Sequence, residues 1–163
     1  SGSPGSPQSA NSPEARLAGL GIELPPAAAP LAAYVPVRIS GLTAFVSGQG
    51  PVRAGRSVYQ GCLGASLTAE QGHDAARIAA VNILAALKGA LGGLDRIAQF
   101  DRVAVMVAST ADFTGHPAVA NGASELIVEV FGQAGRHARV AYGVSSLPLG
   151  WPVEVEAQVT LRG

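Results

Sequence analysis

The sequence predicts an α/β (α+β) fold of order β-β-α-β-α-β-β, in which two helices cover one face of a four- or five-stranded mixed sheet. Three observations carry this reading. Ala75, Ala79, Ile83, Ala86, Leu87 and Ala90 recur at helical spacing, and Ala76, Ala80 and Leu84 widen the stripe. Val119, Ala123, Leu126, Ile127 and Val130 repeat the pattern further on. Near the end, Val153, Val155, Ala157, Val159 and Leu161 alternate with Glu154, Glu156, Gln158 and Thr160, the period of a strand with one buried face. Helices with one apolar stripe and strands with one apolar face must bury them against each other. The opposite sheet face, which carries Glu154, is left for solvent or another subunit.

Taken in order, residues 1–13 are rich in Ser, Gly and Pro and hold no apolar side chain larger than alanine. Burial there cannot offset the entropy of ordering, so the segment is expected to be flexible and residues 14–163 to form one domain. Glu14 to Leu20 suits a short helix with Ser12 as N-cap, Pro13 at its first position and Gly21 at its end. Pro25, Pro26 and Pro30 then enforce an extended crossing. Residues 34–40 and 42–48 read as a hairpin turning near Ser40-Gly41. Residues 52–66 read as a loop with a short strand near Val58. Thr68 and Gln71 form a capping box that opens a helix reaching Leu91, where Gly92-Gly93 stop it. Val103 to Val107 is the clean part of a strand within residues 97–109. Residues 112–116 turn, Pro117 opens the second helix, and Gly132 ends it after Phe131. Residues 138–144 and 153–161 are the two closing strands, expected to be neighbours.

Of 163 residues, 48% are hydrophobic and only 13% charged, against roughly 25% charged in globular chains generally. So sparse a charge predicts a homo-oligomer, with much of the outside covered by copies of itself. Eleven basic and eleven acidic residues cancel without any basic block, which argues against nucleic acid as a partner. No apolar run approaches the roughly 18 residues of a membrane span. The start lacks the basic and apolar regions of a secretory signal, and the single cysteine, Cys62, permits no internal disulfide. The expected location is the cytoplasm. His73, His116 and His137 show no metal-ligand spacing, so no metal site is expected. Gly48 and Gly50 are followed by Arg53 where a dinucleotide fingerprint needs a third glycine.

The polar residues that stand out are Arg139 and Glu154, on the two closing strands, with Tyr34 and Asn121. An arginine fork matches the two oxygens of a carboxylate, and a glutamate beside such an anion can move protons through a water if its pKa is raised. An ordinary Arg139–Glu154 ion pair fits the spacing equally well, and Asn121 is either exposed or aimed at a ligand.

Five ordered motifs add to this reading: Tyr34 in Ala-Ala-Tyr-Val, Val-Ser47-Gly48-Gln49-Gly-Pro, Ala-Val-Ala-Asn121, His-Ala-Arg139-Val-Ala, and Leu-Pro148 followed by Val-Glu154-Val-Glu156-Ala. From about Leu31 to Leu161 the chain resembles the RidA/YjgF family, also known as L-PSP endoribonuclease-like. The resemblance implies a chorismate-mutase-like fold, a homotrimer with ligand clefts between subunits, and no cofactor. It also implies hydrolysis of enamine and imine intermediates such as 2-iminopropanoate and 2-iminobutanoate to 2-oxo acids and ammonia. Carried over by position, Arg139 holds the substrate carboxylate and Glu154 orients or activates water. Tyr34, Gly48 and Asn121 line the cleft, and the backbone amide of Ala141 meets the substrate. Many active members have a cysteine or serine where this chain has Ala141, and Trp151 precedes the glutamate strand. A small-carboxylate-binding trimer with a regulatory role and an endoribonuclease are the alternatives.

Overall fold

A computed structural model describes residues 11–30 and 32–163. The flexible segment expected over residues 1–13 therefore lies, for residues 1–10, outside the described residues. Ser12 caps helix α1 (Pro13–Gly19) and Pro13 opens it, as expected, with the Ser12 hydroxyl accepting the Ala15 N–H at 3.1 Å. The Glu14 carboxylate accepts the Leu94 N–H at 2.8 Å and so ties α1 to the turn after the long helix.

Strands β1 (Val37–Ser40) and β2 (Thr43–Gln49) form the expected hairpin. Within residues 52–66 the chain makes a small second hairpin, β3 (Val52–Arg53) and β4 (Arg56–Ser57), rather than a lone strand near Val58. Helix α2 (Ala69–Leu91) starts at the capping box of Thr68 and Gln71 and ends at left-handed Gly92. Strand β5 (Ile97–Ala108) is longer than its apolar middle. Helix α3 (His116–Phe131) carries Pro117 in its first turn. Strands β6 (Ala138–Val144) and β7 (Val153–Leu161) close the chain.

The five-stranded sheet runs β1-β2-β7-β5-β6 and is antiparallel except for β5 with β6. This corrects one expectation. The two closing strands are not neighbours, because β5 lies between them. Val103, Val105 and Val107 of β5 pair with Ala157, Val155 and Val153 of β7, and all six are buried with α2 and α3 side chains in one core. The helices lie close together: a Cβ on Gly122 of α3 would strike the backbone carbonyl of His73 in α2. Ala75, Ala79, Ile83, Ala86 and Leu87 are buried as their spacing predicts, whereas Ala90 is exposed in the last turn. At the surface His73 lies 3.2 Å from Glu125, and Asp74 accepts the Tyr59 hydroxyl at 2.7 Å. Among the described residues, no helix is long and apolar enough to cross a membrane.

The other sheet face is open. It carries Glu154, Glu156 and Gln158 of β7, paired across the sheet with Met106, Ala104 and Phe45. Met106 and Ala104 in turn pair with Tyr142 and Val140 of β6. Phe45, Val140 and Tyr142 leave 38–44% of their surface exposed, an apolar stripe beside carboxylates.

Candidate functional site

Two clusters form, on opposite faces of the sheet. Arg139 pairs with Val103 on β5, which lies in the core under the helices, so its side chain leaves the sheet on the helix side. Glu154 pairs with Met106, three residues further along β5, and therefore points to the open face. The Arg139–Glu154 ion pair that the spacing allows does not form among the described residues.

Arg139 is met by neutral acceptors. One of its terminal nitrogens, Nη1, donates to Asn121 Oδ1 at 2.8 Å and to Ser124 Oγ at 3.2 Å. Both acceptors stand on the face of α3 that borders β6, three residues apart and therefore adjacent on the helix. Asn121 is thus aimed at the arginine. Neither acceptor carries charge, so among the described residues the guanidinium is oriented without an ion-pair partner. Ala141 lies two residues on, on the same strand face and partly buried against the core. A serine on α3, Ser124, and a histidine at the start of β6, His137, complete this cluster. The Ser124 hydroxyl lies 2.8 Å from His137 Nε2. Sequence reasoning missed both. The signal for Ser124 is its place one helical turn beyond Asn121.

Glu154 packs over Gly48. A Cβ built on Gly48 would stand 2.9 Å from the carboxyl carbon of Glu154, so only glycine leaves room for this contact. Burial raises the Glu154 pKa above the ordinary 4.5, and the neighbouring Glu156 charge raises it further. A carboxyl so placed holds its proton to higher pH than an exposed one.

Gly48 also borders a cavity of about 490 Å³, with Tyr34, Trp151, Asn82 and prolines from the extended crossing in its wall. Here the structure brings Tyr34 to Gly48. The Ser47 hydroxyl donates to the Val35 carbonyl at 2.7 Å and the Ser47 N–H to the Pro36 carbonyl at 2.9 Å, which pins the Tyr34 stretch along β2. Trp151 lies across Gly50 and donates its indole N–H to Ser57 Oγ at 3.0 Å. Asn82 donates to the carbonyls of Gly50 and Val52, both at 2.9 Å, and fixes the same loop from α2.

The six candidate residues thus sort into an arginine cluster of Arg139, Asn121 and Ala141, and an acid cluster of Glu154, Gly48 and Tyr34. Among the described residues, no three His, Cys, Asp or Glu side chains converge as metal ligands.

A small α+β domain with an oriented arginine on one sheet face and a glutamate of raised pKa on the other is the class that fold and geometry define. Residues 14–155 match the family described as "YjgF/chorismate mutase-like, putative endoribonuclease", and the chain belongs to that family. It is 48% identical over 149 residues to Protein TCP17 of Trypanosoma cruzi, covering 91% of this chain and 93% of that one. The crystal structure of Atu1372 from Agrobacterium tumefaciens, a protein of unknown function, is 42% identical over 92% of both chains with a TM-score of 0.87. A Shewanella oneidensis MR-1 structure described as a "putative endoribonuclease" is 40% identical over 92% of this chain and 99% of that one, with a TM-score of 0.89.

Proposed function

We propose that the protein hydrolyses reactive 2-imino acids, such as 2-iminopropanoate and 2-iminobutanoate and their enamine tautomers, to 2-oxo acids and ammonia in clefts between the subunits of a homotrimer. The observation that carries the proposal is the separation of the two clusters. An arginine without an ion-pair partner among the described residues and a carboxyl of raised pKa lie on opposite faces of one sheet. A ring of three subunits lets one subunit's arginine cluster meet its neighbour's glutamate cluster, because a heterologous interface joins two different faces and a three-fold rotation closes it. The exposed stripe of Phe45, Val140 and Tyr142 supplies apolar surface for such a ring.

In that cleft Arg139 takes the substrate carboxylate, and the Ala141 backbone amide gives a further donor. The imine carbon is already electrophilic, so positioning and one proton relay suffice. Ionised Glu154 accepts a proton from the attacking water as the C–O bond forms and passes it to the imine nitrogen, giving the carbinolamine. It then takes the hydroxyl proton as the carbonyl forms and delivers it to the amino nitrogen as the C–N bond breaks. Imine and water go in; 2-oxo acid and ammonia come out. Tyr34 and the Gly48 backbone line the wall, and no cofactor takes part.

The test is release of ammonia and 2-oxo acid from freshly generated 2-iminopropanoate. Arg139→Ala should lose it, and equal rates for variant and parent would end the proposal. Ala141 favours a second reading, a trimer that holds a small carboxylate without turning it over. Ligand-dependent melting shifts with no turnover would select it. The endoribonuclease label finds less support, since the chain is neutral overall and has no basic block.

A further inference from the structure

With a neutral His137 ring, the hydrogen bonds beneath Arg139 have one consistent direction. His137 Nδ1 lies 2.7 Å from the Gly135 carbonyl, which can only accept, so Nδ1 carries the proton. The neutral ring then presents a lone pair at Nε2, and the Ser124 hydroxyl, 2.8 Å away, is the donor to it. Having spent its one proton there, Ser124 Oγ turns a lone pair to Arg139 Nη1 at 3.2 Å, and a guanidinium can only donate. We propose that His137 is a positioning residue for Arg139: its neutral Nδ1–H tautomer sets the Ser124 hydroxyl as an acceptor for the guanidinium, and protonation of the ring releases that hold.

Protonation changes two things. Nε2 becomes a donor, so the Ser124 oxygen is caught between two cationic donors and its own proton loses its acceptor. An imidazolium also then stands one hydroxyl away from the guanidinium. The exposed Arg139 side chain can relieve this by swinging into solvent.

Among the described residues, the surroundings leave the ring without a compensating carboxylate. On the β6 side the nearby charges are Arg139 itself and Arg136 at the strand's approach. Arg102 of β5, beside Ala138, is engaged by Glu156 on the open face at 3.4 Å. On α3, Glu125 and Glu129 are held by His73 and Arg77 of α2 at 3.2 and 3.4 Å. Burial lowers the His137 pKa below the ordinary 6.5, the Arg139 charge lowers it further, and the Gly135 carbonyl opposes both. The neutral form is therefore the resting one.

The consequence for ligands rests on the reading of Arg139 as the carboxylate clamp, whereas the tautomer and the hydrogen-bond directions do not. Long-range proton–nitrogen NMR on the whole protein, from pH 5 to 8, reads the His137 tautomer and the Arg139 Nε–H signal together. The proposal expects the Nδ1–H tautomer and an Arg139 signal that shifts with the His137 titration. An Nε2–H tautomer, or an Arg139 signal indifferent to that titration, overturns it. Binding of 2-oxobutanoate gives the second arm. The parent should weaken about fivefold to tenfold below the His137 pKa, the worth of one hydrogen bond. His137→Gln keeps an acceptor in reach of Ser124 without a titrating ring and should flatten that dependence. Ser124→Ala should weaken binding at every pH. The same pH dependence in His137→Gln as in the parent counts against the proposal. A parent that binds no 2-oxobutanoate at any pH removes the carboxylate site instead, and the NMR arm alone then decides the role of His137.

Discussion

Arg139 and Glu154 owe their proposed roles to what does not surround them. The arginine has two neutral acceptors, so an arriving carboxylate finds its orientation already set and its charge free. Charge-assisted hydrogen bonds contribute about 1.5–3 kcal/mol each. Arg139→Ala should therefore lower kcat/KM for 2-iminopropanoate by about 10- to 100-fold or more, read by 2-oxo acid release. Glu154 separates function from stability. Because burial raises its pKa, ionising it costs the fold more than it costs the unfolded chain, a penalty that grows as pH rises from 4.5 through its folded pKa. Glu154→Gln should then melt no lower than the parent at pH 7 while losing turnover. His137 has the opposite sign. Its lowered pKa means the unfolded chain binds the proton more readily. The stability from its neutral form is full above the ordinary 6.5 and is lost as pH falls from there toward the folded pKa. The parent's melting temperature should drop more steeply below pH 6.5 than that of His137→Gln.

At the scale of elements, the strand and helix patterns were readable because each buries one face. Thr68 and Gln71 mark the start of α2, Gly92 its end, and the β7 alternation appears as written. The pairing order was not readable. β6 and β7 follow each other in sequence, yet β5 takes the place between them, and nothing local to residues 138–161 encodes that choice. It follows from packing the apolar faces of Val103, Val105 and Val107 beside those of β7 under both helices. The same insertion separates Arg139 from Glu154, and the register, pairing them with Val103 and Met106 three residues apart on β5, sets them on opposite faces. Arg139, Asn121, Gly48 and Glu154 stood out by residue type and motif, whereas Ser124 and His137 needed the α3–β6 contact to be seen. The α2–α3 contact has its own test. Gly122→Ala sets a Cβ into the His73 carbonyl and must push the helices apart. Overpacking of this kind costs about 1–3 kcal/mol, which chemical denaturation should record.

For the whole molecule, the low charge and the open apolar stripe agree with covering by other copies. Tyr142→Glu on that stripe should convert the proposed trimer to smaller species in light scattering and lose the proposed hydrolysis with it, although neither candidate catalytic residue is touched. The central claim is that each site takes Arg139 from one subunit and Glu154 from another, and subunit mixing tests it most directly. Arg139→Ala and Glu154→Gln, each inactive alone, are unfolded together, refolded, and confirmed as mixed trimers by native mass spectrometry. In a random equal mixture about a quarter of the interfaces pair an intact arginine cluster with an intact glutamate cluster. The mixture should regain roughly that share of the parent's 2-iminopropanoate hydrolysis. Mixed trimers that stay as inactive as the separate variants would contradict the account.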